Sequence, residues 1–163
     1  MATIYLAGRL FNAAERLHNL FLEKQLRALG HTVILPQREA KKFFDDQRDD
    51  QRFDMNQIAE DCRTYCLNPE NVYVGNIDGP DADSGTCVEY GVAITAIGKA
   101  IVYRTDIRTA EGSEVGVNAM LKLRGTVFIY FPCFFTELDQ VEPYYRALAQ
   151  KIHEALSVQL CDV

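Results

Sequence analysis

No apolar run in this 163-residue sequence approaches the roughly 18 residues that a membrane-spanning helix needs. The opening residues 1–9 lack the basic start and long apolar core of a secretory signal, so a cytoplasmic location is expected. Positive charge is in deficit: 17 Lys and Arg stand against 23 Asp and Glu, a formal net charge of −6. Non-specific nucleic-acid binding and adsorption to a membrane surface both draw on a basic patch, so the balance argues against both. Small uncharged ligands remain open. The five cysteines (Cys62, Cys66, Cys87, Cys133 and Cys161) are odd in number and scattered. Cys62 and Cys66 would share a helix face, yet no second Cys or His pair stands ready to complete a metal site. His18, His31 and His153 are equally dispersed and read as surface or satisfied histidines. No metal and no cofactor is expected.

What is present is the composition of an ordinary globular protein, 48% hydrophobic and 25% charged, in a length suited to one domain spanning 1–163. Short apolar segments alternate with longer amphipathic ones. Residues 4–7 read as a buried strand ending at Gly8. Residues 13–29 carry Leu17, Leu20, Phe21, Leu26 and Leu29 at helical spacing, with Gly30 as a natural stop. Residues 32–35 form a second strand before Pro36. The polar stretch 37–54 is long for a connection in a compact domain. Residues 54–66 read as helix, Asn68-Pro69 as a break and 71–77 as a third strand. An acidic loop, 78–85, leads to an apolar helix over 86–97. Residues 100–103 and 126–130 are strands four and five, with a helical stretch near 112–122 between them and a last helix at 140–157. The apolar stretch 131–135 suits an interface or core packing equally.

Five strands alternating with helices predict a parallel sheet covered on both faces, in the order 2-1-3-4-5. Ligands of such sheets sit beyond the carboxyl ends of the strands where the order reverses. That crevice lies between strands one and three, and the loops facing it begin at Gly8 and Asp78.

The loop after strand three places Asp78, Asp81 and Asp83 just before a helix start, and Glu89 follows within the helix. Converging carboxylates suit glycosyl chemistry. Bond breaking at an anomeric carbon creates an oxocarbenium-like centre that needs one ionised carboxylate beside it and a second acid to protonate the leaving group. Glu89 suits the first task, because a helix N-terminus favours its charged form and lowers its pKa. Asp83 or Asp61 suits the second. A plainer reading competes: Thr86 as N-cap with Glu89 three residues on makes a capping box.

The segment Asp83-Ser-Gly-Thr-Cys-Val-Glu89-Tyr-Gly91, after a strand and Asp78-Gly79, resembles the signature of the nucleoside 2-deoxyribosyltransferase family. Three other segments resemble it in order and spacing, so the likeness spans about 4–120. Tyr5 takes the place of the tyrosine that hydrogen-bonds the family's nucleophile. Asp61, in Ile58-Ala-Glu-Asp61, takes that of an active-site aspartate. Asn118, in Asn118-Ala-Met120, takes that of an asparagine lent to a neighbouring subunit's sugar site. The resemblance implies a flavodoxin-like three-layer α/β/α sandwich. It also implies exchange of the base of a 2′-deoxynucleoside through a covalent glycosyl-glutamate, with Glu89 as nucleophile. Asp83 and Asp61 would handle the base proton and orient base or sugar. Gln37 stands where the family places a base-contacting glutamine. Phe11 is positioned to stack on the base or to fill core, and Gly8 and Asp78 line the site. The implied partners are 2′-deoxynucleosides, free nucleobases and a second copy of the chain.

Two other readings share the fold. A 2′-deoxynucleoside 5′-monophosphate N-glycosidase would need a phosphate cradle near the first loop, which here holds one arginine and no serine. A non-catalytic nucleotide-binding module, such as a phospho-acceptor receiver, would need acids after strand one, where Ala7-Gly8 stands.

Overall fold

The computed structural model describes residues 1–39, 55–108 and 117–161. Five parallel strands form one sheet in the order β2-β1-β3-β4-β5, as the alternation predicts. They are β1 (Thr3–Ala7), β2 (Thr32–Ile34), β3 (Asn71–Asn76), β4 (Ala100–Arg104) and β5 (Thr126–Tyr130). The helices are α1 (Ala13–Ala28), a single turn α2 (Pro36–Glu39), α3 (Met55–Leu67), α4 (Ser84–Ile97) and α5 (Val141–Cys161). The polar stretch 40–54 lies outside the described residues. Of the helix expected near 112–122, residues 112–116 lie outside them too. The rest holds only a 3-10 turn, Ala119–Leu121, which Asn118 starts by accepting the Met120 N–H at 2.9 Å.

Register puts Tyr5 of β1 beside Ile34 on one side and Tyr73 on the other. Alternation along each strand then divides the core into two layers. Ile4, Leu6, Val74, Ile101 and Tyr103 face α1 and α5, whose Leu22, Leu26, Leu148 and Ile152 are buried against them. Tyr5, Ala7, Tyr73 and Val102 face α3 and α4, meeting Cys66, Tyr90, Ala93 and Ile94. Four consecutive buried residues in β1, Ile4 to Ala7, are what a strand covered on both faces requires.

Helix α1 begins on a capping box: Asn12 Oδ1 accepts the Glu15 N–H at 3.0 Å, and Glu15 Oε2 accepts the Asn12 N–H at 3.2 Å. Its buried stripe centres on Asn19, Leu22 and Leu26. Leu17 and Leu20, expected to face inward, are 53% and 41% exposed. At about 100° per residue they fall on the far side from Leu22. Asn19 takes an inward place because its amide donates to the Arg9 carbonyl and to Gln37 Oε1. Within the stretch 131–135, Phe131 packs on Tyr144 at 5.3 Å, while Phe134 is 70% exposed.

The start of α4 differs from the expected one. Its N-cap is Asp83 rather than Thr86: Asp83 Oδ2 accepts both the Thr86 backbone N–H at 2.9 Å and the Thr86 hydroxyl at 3.1 Å. Aspartate caps at least as well as threonine, and a cap three residues earlier satisfies the exposed amides of a longer helix. Glu89 therefore stands six residues into α4 and has no part in the cap. Replacing Asp83 with Ala is expected to lower stability by about 1 kcal/mol. Asp83→Asn restores most of that loss, since asparagine caps equally well; urea denaturation of the two variants checks it.

At the opposite end of the sheet, His31 Nδ1 accepts the Ala2 backbone N–H at 3.2 Å, so His31 Nε2 carries the proton and donates to His153 Nδ1 at 2.9 Å. Burial, then the neighbouring His153 and the N-terminal ammonium, hold His31 below the usual histidine range. A folded-state pKa below the unfolded value means that the contribution of neutral His31 is complete above about pH 6.5 and declines as pH falls below it. The urea midpoint is expected to drop between pH 7 and 5, and to drop less steeply in His31→Gln.

Candidate active site

Helix α4 follows the loop at the carboxyl end of β3, so its first two turns stand at that end of the sheet, where the crevice is expected. Glu89 projects from this part of α4 toward β1. The Tyr5 hydroxyl donates to Glu89 Oε1 at 2.7 Å, across 84 residues of sequence. Tyr5 is fully buried, as a strand residue in packing would be, and its ring stacks on Tyr65 of α3 at 5.7 Å. The packing and the polar contact use different ends of one side chain.

Helix α3 closes the other side. Cys62, Tyr65 and Cys66 fall at i, i+3 and i+4, one face of a helix, and that face looks at Tyr5 and Glu89. Cys62, partly buried, lies on that face beside Asp61. Spacing in the sequence presents Cys62 only as a possible metal ligand. Among the described residues, no group of three or more His, Cys, Asp or Glu is placed to hold a metal ion.

The electrostatics also differ from expectation. Glu89 sits above the ordinary carboxylate range, first because of desolvation. The hydrogen bond from Tyr5 opposes that rise, and the charge of Asp83 adds to it. A hydrogen bond to a charged group contributes about 1.5–3 kcal/mol, whereas withdrawing a carboxylate from water costs several. The helix dipole, expected to lower the pKa, acts within the first turn, and Glu89 lies beyond it. Burial, then the Glu89 charge, push the Tyr5 hydroxyl far above its ordinary range, so Tyr5 remains a donor across the working pH range.

Asp61 lies next to Cys62 on α3, partly buried, and its Oδ1 accepts the Gln57 amide at 2.7 Å. Asp61 thus lies on α3, which packs against α4, while Asp83 caps the helix that carries Glu89. Asp78 serves the loop instead. Its Oδ1 accepts the N–H groups of Thr105 at 2.5 Å and Asp106 at 2.9 Å. Its Oδ2 accepts the Thr105 hydroxyl at 2.5 Å and the Asn76 amide at 2.9 Å. Arg104, 2% exposed, reinforces this join by donating to the carbonyls of Ile77 and Gly79, each at 2.9 Å. No sequence motif marks Arg104.

A cleft of about 280 Å³ opens on the α1 side of the same sheet end, lined by Arg9, His18, Asn76, Asp78 and Asp106 among others. It lies at the β1–β3 crevice, although Glu89 is not in its wall. A Cβ on Gly8 would come within 3.1 Å of Asn76 Cβ, so glycine keeps this rim tight. The cations of the cleft are engaged: Arg9 donates to the Asp81 carbonyl, and Arg108 pairs with Asp106. That guanidinium holds the Asp106 carboxyl well below its usual range. The Gln37 amide accepts from Asn19 at 3.0 Å and donates to the Arg16 carbonyl at 3.2 Å. Phe11, 78% exposed, is no core aromatic. Asn118 is exposed at the start of its 3-10 turn.

Among solved structures, a conserved protein from Enterococcus faecalis V583 is 26% identical, with a TM-score of 0.63 over 90% of this chain and 99% of that one. The 2-deoxyribosyltransferase of Bacillus psychrosaccharolyticus is 23% identical, with a TM-score of 0.56 over 91% of this chain and 96% of that one, a likeness of fold. No curated protein matches the sequence. The profile of the nucleoside 2-deoxyribosyltransferase family matches residues 4–120, from β1 through the Asn118 segment. With that match across most of its length, the chain belongs to the nucleoside 2-deoxyribosyltransferase family.

Proposed function

We propose that the chain transfers the 2-deoxyribosyl group of a 2′-deoxynucleoside between purine or pyrimidine bases, with Glu89 as the nucleophile. The observation that carries this reading is the partly buried Glu89 carboxyl held at 2.7 Å by the Tyr5 hydroxyl at the carboxyl end of the sheet. A nucleophilic carboxylate must be oriented, ionised at working pH and only weakly solvated. Tyr5 supplies the orientation and favours ionisation, and the walls of α3 and α4 limit solvation.

In the proposed first step a Glu89 oxygen bonds to C1′ while the C1′–N bond breaks. The bonding electrons go to the departing base, which takes up a proton. In the second step a nitrogen of the incoming base bonds to C1′ and gives up its proton to the group that protonated the first base, the C1′–O bond to Glu89 breaks, and the carboxylate is regenerated. Two inversions give net retention. Asp61 and Asp83 are proposed to share the base proton and the orientation of base or sugar. Asp83 is also the α4 cap, so Asp83→Asn separates the loss of its acid function from the loss of the helix start. The reading includes a second copy, whose site Asn118 would complete. Exposed Val88 and Met120 are apolar surface in keeping with such a contact.

Incubation with thymidine and adenine is expected to yield deoxyadenosine and free thymine by chromatography. Glu89→Ala is expected to abolish exchange with the fold intact. A carboxylate against C1′ and C2′ leaves little room for a 2′-hydroxyl, so adenosine should be a far poorer donor than deoxyadenosine. Release of guanine from dGMP alone, with no exchange, would instead identify a hydrolase.

The pH dependence follows from the same geometry. Attack requires ionised Glu89, whose pKa is raised, so kcat/KM should fall on acidification along a limb centred above the ordinary glutamate value of 4.5. Tyr5→Phe removes a donor that favours the charged form. Its limb should move to still higher pH and its kcat should fall about tenfold or more.

A further inference from the structure

We propose that Tyr73 is a positioning residue for Glu89: its hydroxyl, bound to the Thr86 carbonyl, fixes the turn of α4 from which Glu89 reaches Tyr5. The inference rests on Glu89 being the nucleophile, and concerns how this chain keeps it in place.

Tyr5 and Tyr73 are register partners on the neighbouring strands β1 and β3, and both face α3 and α4. Each sends its hydroxyl to α4. Tyr5 donates to the Glu89 carboxyl at 2.7 Å, and Tyr73 to the Thr86 backbone carbonyl at 2.8 Å. Residues 86 and 89 are three apart, on one helix face. Helical side chains lean back toward the N-terminus, so Glu89 lies over the turn that holds Thr86. Holding that carbonyl sets where the Glu89 carboxyl stands relative to β1. Thr86 is fixed from its other side as well, since its N–H and its hydroxyl both go to Asp83 Oδ2. The cap decides where α4 begins, and Tyr73 joins the same turn to the sheet. A carbonyl oxygen has two lone pairs, so Thr86 can serve its helix and Tyr73 together.

The Tyr73 hydroxyl has a seat of its own. Gly75 stands two residues on, and a Cβ there would come 2.5 Å from the Tyr73 hydroxyl and 2.7 Å from its ring. Tyr73 is 2% exposed, with the Tyr5 ring at 6.3 Å and the Tyr90 ring at 6.2 Å. Phenylalanine would fill the place of the ring without a buried hydroxyl to satisfy. What the hydroxyl adds is the tie to α4. Burial, then the charge of Glu89, push it well above its ordinary range, so it is neutral and its removal changes no charge. Tyr5 on β1, Asp83 on α4, and Asp61, Cys62 and Cys66 on α3 are all left in place by Tyr73→Phe. A shift in the Glu89 titration therefore reports a change of geometry.

The Glu89 carboxyl is titrated by carbon-13 NMR, assigned by its disappearance in Glu89→Gln, with folding checked by circular dichroism. A loosened α4 turn weakens the Tyr5 contact, and losing a donor to the charged form raises the carboxyl pKa. Tyr73→Phe is expected to raise the midpoint by about half a pH unit, less than Tyr5→Phe does. If Tyr73 acts through the Tyr5 contact, it has nothing left to act on once that contact is gone. The double variant, Tyr5→Phe with Tyr73→Phe, should therefore titrate within about 0.2 of Tyr5→Phe alone. Gly75→Ala keeps the tyrosine but displaces its hydroxyl; it should raise the midpoint too, and it decides the matter if Tyr73→Phe does not fold. In base exchange Tyr73→Phe should lose about three- to tenfold in kcat with KM little changed. An unchanged or lowered midpoint in the folded variant, or a double variant displaced by the full sum of the two single shifts, overturns the proposal. Because NMR reads Glu89 directly, the titration tests Tyr73 even if wild type exchanges no bases, a result that would overturn the nucleophile reading alone.

Discussion

A carboxyl group drawn partly out of water between a sheet and two helices is the constraint on which the arrangement of this protein turns. Glu89 cannot carry charge there without donors, because the cost of desolvation exceeds what a single hydrogen bond contributes. Its donor, Tyr5, lies 84 residues away, on the second strand in the order of the sheet. β1 and α4 must meet in register for this contact to form, so strand pairing and the geometry of the site are one problem. The outcome is a carboxyl oriented by Tyr5 and drawn above the ordinary carboxylate range.

The carboxyl end of β3 is built to hold that geometry still. Asp78 and Arg104 tie the β3–α4 loop to β4 and its following loop. Asp83 then caps α4 and sets where its first turn begins. Since Glu89 is six residues further on, any slip of the cap would rotate the carboxyl away from Tyr5 by about 100° for each residue of slip. Acid residues that look alike in the sequence therefore do different work: Asp78 fastens the loop, Asp83 starts the helix and Glu89 faces Tyr5.

Much of the frame is legible in the residues. Buried segments of four to six residues alternating with longer amphipathic ones specify parallel strands and crossover helices, and handedness and connection length leave few sheet orders. Tyr5 and Glu89 are legible as a pair only through resemblance, since no local pattern joins residues 84 apart. Spacing alone misplaces Leu17 and Leu20 of α1 because a polar residue, Asn19, takes an inward place. Its two hydrogen bonds, to Arg9 and Gln37, come from tertiary contacts that helical spacing does not encode. Thr86 passes for the cap because two competent capping residues stand three apart, and only the course of the loop from Asp78 decides between them.

Local pattern suffices for the alternation of elements, the two-sided burial of the sheet and the end at which acidic side chains collect. These follow from periodicity and from turn residues, which act over a few neighbours. The protonation tendency of Glu89, the cap at Asp83 and the clamp at Arg104 were settled by folding alone. Each of those depends on desolvation, on the course of a loop or on a hydrogen bond between residues far apart in the chain. Such quantities come into being only when β1, α3 and α4 are brought together.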